Sequence, residues 1–183
     1  QAWDAVLEAG ELARELDAGA AALGAPLPAP ALGEVRSAAE ADLAALALSA
    51  EVELVDLSGG GPMAARVRTA LRDRLLGDIE TASDALRRRV DERRALPPAD
   101  EWREWSALVE AHARGVRLGG AELRQLAFYT VHPDATHYAV WLFNERKERA
   151  LGNAVFRFCL AEATAVDDAS AIALQQKNVS CGV

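Results

Sequence analysis

The segment TVHPDATHYAVW, residues 130–141, gathers two of the chain's three histidines with an aspartate, a threonine and a tyrosine. Side chains of these types could hold a metal or move protons. Zinc ligands on one helix sit four residues apart, so that both point the same way. His132 and His137 are five apart, and no cysteine or further histidine stands close by in sequence to complete a set. Pro133 disfavours helical geometry at the residue before it and suits the first turn of a helix. Asp134 in that turn would complement the unpaired N–H groups and the positive end of the dipole. The segment therefore reads as a boundary between two helices. It assigns no metal ligand, no cofactor and no catalytic residue.

The other reactive groups read as packing. His112 lies on the apolar face of EWREWSALVEAHARGV and is expected to be partly buried and hydrogen-bonded. Cys159 falls on an apolar stripe, and nothing in the sequence sets a base or cation beside Cys181. The glycine run SGGGP (58–62) lacks the lysine of a phosphate-binding GxxxxGK[ST] loop. It is a turn, with Gly61 as a cap and Pro62 opening the next helix. Trp3, Trp102, Trp105 and Trp141 sit at helical core positions; the alternative for Trp102 and Trp105 is an aromatic contact patch.

The densest basic cluster is ALRRRVDERRAL, with Arg87, Arg88, Arg89, Arg93 and Arg94. A nucleic-acid surface needs clustered positive charge. Here Asp84, Asp91 and Glu92 interrupt it, and Arg88 and Arg89 stand at helical pairing distance from Glu92. A mixed face is usually a solvated one. The five arginines and the tryptophan pair are thus candidates for contact with a protein partner, arginine being suited to bidentate pairing with carboxylates.

The elements that must position these groups are helical almost throughout. An acidic helix is expected over 1–24, followed by a proline-rich connector over 25–33. A helical hairpin should span 34–95, and a compact helical part 100–183. In the hairpin, Val35, Ala39, Leu43, Leu46, Ala50, Leu54 and Leu57 mark a first helix, with EVELVDL also readable as a strand. Val67, Leu71, Leu75, Ile79, Ala82, Leu86 and Val90 form a narrow stripe on a second, of about 33 residues and hence about 50 Å. That exceeds the roughly 40 Å width of a compact domain this size. Asp100 is the expected cap of the next helix, Gly119-Gly120 its end, and AVWLF a buried helix core. The fold class is all-α: a single domain forming an elongated bundle of six to seven helices around one long central helix.

Composition sets the remaining bounds. The chain has 183 residues, 51% of them hydrophobic, and a net charge of −8. Residues 1–57 carry eleven acids against two bases, whereas 58–149 carry fourteen against sixteen. Eighteen of the twenty basic residues are arginine, which with the high alanine content points to a GC-rich genome, such as an actinobacterium or a large DNA virus. No apolar run approaches the roughly 20 residues of a membrane span, and the first residues lack the basic segment followed by an apolar stretch that marks a secretory signal. Two isolated cysteines imply a reducing compartment, cytoplasmic or nuclear. The absence of an initial methionine suggests a piece of a larger protein.

The leading expectation is a protein–protein interaction or scaffold module of an assembly protein, structural or tegument-like, with protein partners of unassigned identity and a homo-oligomer as one option. The alternative is a helical enzyme domain using His112, His132 or His137 with Asp134 or Cys159. A weaker alternative is nucleic-acid binding through the arginine helix.

Overall fold

Helical periodicity is realised along almost all of the described residues, which contain no strand. The computed structural model describes residues 29–58 and 62–181. The expected helix over 1–24, Trp3, the start of the connector and the glycines of the 58–62 turn lie outside them. Five α-helices follow in order: α1 (Ala29–Ser49), α2 (Pro62–Asp91), α3 (Pro98–Trp141), α4 (Arg149–Ala165) and α5 (Ala169–Cys181). A short 3-10 turn, Leu54–Leu57, separates α1 from α2, and a π-turn, Leu142–Arg146, extends α3. The chain divides into two compact units between Arg74 and Leu75, inside α2 and inside the segment expected as a hairpin.

In the first unit, α1 begins at Ala29, so Pro30 falls in its first turn rather than in a connector. A proline is tolerated there because its missing N–H has no intrahelical acceptor to satisfy. Leu43, Ala44 and Ala47 are buried. The helix stops at Ser49, earlier than the apolar spacing suggests, and EVELVDL is neither strand nor α-helix. Instead Leu54 and Leu57 are buried from the 3-10 turn. Arg66 of α2 pairs with Glu40 of α1 at 2.9 Å.

Three helices end in the same way, on a non-glycine residue in left-handed geometry. Glu51 (φ 55°), Arg93 (φ 50°) and Asp167 (φ 58°) follow α1, α2 and α4. In each case the next N–H reaches back five residues: Val52 to the Ala47 carbonyl at 2.9 Å, Arg94 to Arg89 at 3.0 Å, Asp168 to Ala163 at 3.0 Å. These 6→1 bonds satisfy carbonyls the helix end would leave open. They also explain why α2 has 30 residues and closes at Asp91, short of the expected Ala95. Asp168 then starts α5, its carboxylate accepting from the Ala171 N–H (3.0 Å) and the Ser170 hydroxyl (3.1 Å).

α3 is the largest departure from expectation. It starts at Pro98, so Asp100 lies in the first turn, bound to Arg103 at 2.9 Å, and is not the cap. At Gly120 (φ 64°, ψ −154°) the backbone leaves helical geometry, and a second helical segment continues from it. This region of φ/ψ is essentially restricted to glycine. The expected boundary at His132-Pro133 does not form: the helix runs through Pro133 to Trp141. Pro133 deprives only the Tyr129 carbonyl of its usual donor. Tyr129 is exposed, so water can take that donor's place.

The second unit is built on α3, with α4 packed on α3 and α5 packed on α4. From the stripe of α2, Leu75, Ile79, Leu86 and Val90 are buried. Ala82 is only half-buried, and Ser83 takes the interior position, its hydroxyl donating to Asp134 at 2.9 Å. Leu151, Val155, Phe156, Cys159 and Ala163 form the inward face of α4. AVWLF is less enclosed than expected, because Val140 is exposed.

Candidate functional site

The arginine cluster at the end of α2 is locally neutralised. Arg87 pairs with Asp84 at 2.6 Å, and Arg88 donates to the Asp84 carbonyl at 3.3 Å. Arg93 approaches Glu145 at 3.7 Å. The expected pairing with Glu92 gives way to these contacts and, for Arg89, to a buried one. Arg89 is only 6% exposed; one amino group meets Glu101 at 3.1 Å and the other meets Glu104. Arg88, Arg89 and Arg94 share an open cleft of about 390 Å³ with Glu92 and Glu104. The cluster therefore presents no concentrated positive field.

Glu101 was hidden from periodicity because a carboxylate is not counted among core residues. It is fully buried, and it survives burial by accepting three hydrogen bonds. These come from the Leu96 N–H (3.0 Å), the Tyr138 hydroxyl (2.6 Å) and Arg89 (3.1 Å). Burial, and then the bond to Glu101, push the Tyr138 hydroxyl well above its ordinary pKa of 10, so it remains a donor. Arg146 adds a bond to the Leu96 carbonyl at 2.8 Å while lying over the Trp141 ring. Together these groups tie the end of α2, the α2–α3 connection and both ends of α3.

Burying Glu101 also fixes the face of α3. The interior row is Glu101, Trp105, Leu108, His112, Gly115 and Leu118. Trp105 packs edge-on against Phe158 at 5.2 Å. Trp102, expected on the same face, is 41% exposed.

The groups considered for catalysis occupy separate surroundings. His112 is buried edge-on against Phe158, with Nε2 3.6 Å from Glu162 and, contrary to expectation, no hydrogen bond at that nitrogen. Arg124 approaches the same Glu162 oxygen at 3.4 Å. Burial draws the His112 pKa below its ordinary 6.5; Glu162 opposes this and Arg124 adds to it. His132 stands 3.0 Å from the Gln175 amide nitrogen, which donates to Thr136 at 2.7 Å. Its Nε2 is thus an acceptor. Burial lowers its pKa too, against the pull of Asp168. Asp134 is engaged by Ser83, His137 is exposed, and the Cys159 thiol is pushed up to about 12 by burial. No group of three or more metal-ligating side chains converges among the described residues.

Buried His112 and half-buried His132 make the fold sensitive to acid. Their folded pKa values lie below 6.5, so on acidification the unfolded chain takes up protons first. Stability is full above about pH 6.5 and declines as the pH falls through that value. The urea midpoint should be lower at about pH 5.5 than at about pH 7.5. His132→Asn should reduce the difference; equal midpoints for the native chain would refute this account.

One exposed surface stands out on the second half of α3. Its outward positions between residues 126 and 140 are Leu126, Tyr129, Pro133, His137 and Val140, none a fixed charge. Leu126 is 43% exposed and Tyr129 63%. Beside the row's C-terminal half is a cleft of about 280 Å³, lined by Val90, Arg93, His137, Val140, Trp141 and Glu145 among others.

No family model, curated protein or solved structure matches the chain.

Geometry and charge are thus what bear on function. Of the residues singled out in the sequence, Arg87, Arg88, Arg93 and Arg94 are on the surface, Arg89 and Trp105 are interior, and Trp102 is partly exposed. The α3 row was missed because the assumed break at Pro133 divided it. Its signal in the sequence is the 3, 4, 4, 3 spacing of uncharged residues across that proline. No helix among the described residues is long and apolar enough to cross a membrane.

Proposed function

We propose that this chain is a protein–protein interaction and scaffold module of a larger assembly protein, and that it works through the outward row of α3. The observation that carries this reading is the row itself: Leu126, Tyr129, Pro133, His137 and Val140 are uncharged and exposed on a chain of net charge −8. Interfaces are depleted of charge at their centres and enriched in aromatic residues. The arginine cluster, interleaved with Asp84, Asp91, Glu92, Glu101 and Glu104, favours a protein partner over nucleic acid, which needs concentrated positive charge. The arginine- and alanine-rich composition points to a GC-rich genome, and we place the module in a structural or tegument-like protein working inside the cell.

Tyr129→Glu tests the reading by placing a charge in the middle of the row. The side chain is exposed, so helicity and thermal midpoint should stay at native values. Partner capture by the immobilised chain from its own cell extract should fall at least about tenfold, as for loss of an aromatic interface anchor. Undiminished capture of every partner by a folded variant would sink the proposal.

A further inference from the structure

The outward row of α3 is symmetric in spacing about its centre. Leu126 and Val140 stand seven residues either side of Pro133, and Tyr129 and His137 stand four either side. An antiparallel pairing of two such rows about a two-fold axis at Pro133 places Leu126 against the other copy's Val140. It places Tyr129 against the other copy's His137. Each apolar residue meets an apolar residue, and each ring meets a ring. A two-fold interface requires this self-complementarity, with one patch serving both sides.

Two further features fit a second copy. Copies carrying −8 each repel one another, and the uncharged row is a surface on which they can approach without opposing fixed charges. Eleven residues beyond the centre, Glu122 on one side faces Asn144 on the other, so the pairing sets no acid directly against another acid there. The cleft beside His137 and Val140 provides a receptor for the projecting side chains. Val90 and Trp141, both buried, line it together with Asp91, Arg93, Asn144 and Glu145.

Resting on the interaction-module reading, we infer that the partner of this face is a second copy of the chain, docked antiparallel with its α3 crossing at Pro133. The row is about 21 Å long at 1.5 Å per residue. A contact of that length falls below the roughly 1,200 Å² of stable interfaces. The dimer is therefore weak and reversible, with a Kd on the order of 100 µM.

Light scattering on the full chain, from about 10 µM to about 1 mM to bracket that Kd, tests this. The mass should rise from 19.5 kDa toward twice that value. Leu126→Glu and Val140→Arg, both at exposed positions, should each weaken association at least about tenfold. The double variant should restore it, because each new glutamate then faces a new arginine across the axis. Circular dichroism should show native helicity throughout. A monomeric mass at every concentration overturns the inference, as does a double variant that stays as weak as either single one. If the chain is monomeric while Tyr129→Glu still abolishes capture of another protein, the homodimer fails and the interaction-module reading stands.

Discussion

Arg89→Ala should lower the stability of the fold by about 3–5 kcal/mol, the range for breaking one side of a buried ion pair. Arg89 is 6% exposed and Glu101 is 0% exposed, so the pair is a buried one and the carboxylate depends on its protein partners. Glu101 would retain the Leu96 N–H and the Tyr138 hydroxyl but no cation in direct contact. Glu104, 34% exposed, would turn to solvent at little cost. The expected signature in urea unfolding is a large fall in midpoint with helicity retained in the native baseline. Arg89→Ala combined with Glu101→Gln should recover part of the loss, because the buried charge is then removed as well. A single variant within about 1 kcal/mol of the native chain would show that the network behaves as an exposed one.

The second large effect is expected at Leu123, three residues beyond the Gly120 bend. Leu123 is fully buried, and its side chain occupies the space over Gly119 and Gly115 where those residues have no Cβ. A methyl group built at Gly115 would lie 2.7 Å from Ile79 Cδ1 and 2.9 Å from Leu123 Cδ2. Leu123→Ala therefore empties a volume bordered by two residues with no side chain to move into it. The loss should fall in the upper part of the 2–5 kcal/mol range for such truncations, because that cost grows with the cavity that remains. Thermal unfolding should show a drop in midpoint on the order of 10 °C. A fall of only a few degrees would mean that the surrounding helices close the gap.

What was legible in the sequence, and what was not, follows from the physics of each feature. The apolar stripe of α2 identifies a helix, and Val67, Leu71, Leu75, Ile79, Leu86 and Val90 are indeed buried. The all-α class follows from the same periodicity. The helix ends were less visible. Glycine signals left-handed closure, but here Glu51, Arg93 and Asp167 adopt it, held by backbone bonds that any residue type can make. The face of α3 was misassigned because apolar counting omits Glu101, whose interior position depends on Arg89 twelve residues earlier and Tyr138 thirty-seven later. Pro133 was read as a breaker because local sterics oppose a helix there. Packing on both sides of it, from Val131, Ala135, Tyr138 and Ala139, outweighs that local preference. Among the candidate contact residues, Arg89 looked like its arginine neighbours; only tertiary structure separates the one in the interior from those on the surface.

Pro133 has one more consequence. The carbonyl of Tyr129, four residues before it, has lost its customary donor and lies at the middle of an otherwise side-chain-defined surface. It is a hydrogen-bond acceptor written into the main chain, and exchanging any side chain of the row other than Pro133 would leave it in place. The helix gives up an internal bond there, and a permanent polar anchor is set among hydrophobic neighbours. Whatever approaches this face meets a fixed direction as well as an oily strip: a donor aligned with that oxygen is rewarded, and an apolar atom over it must strip away its water. Orientation is thereby specified by the backbone at Pro133, apart from the side chains that supply the rest of the contact area.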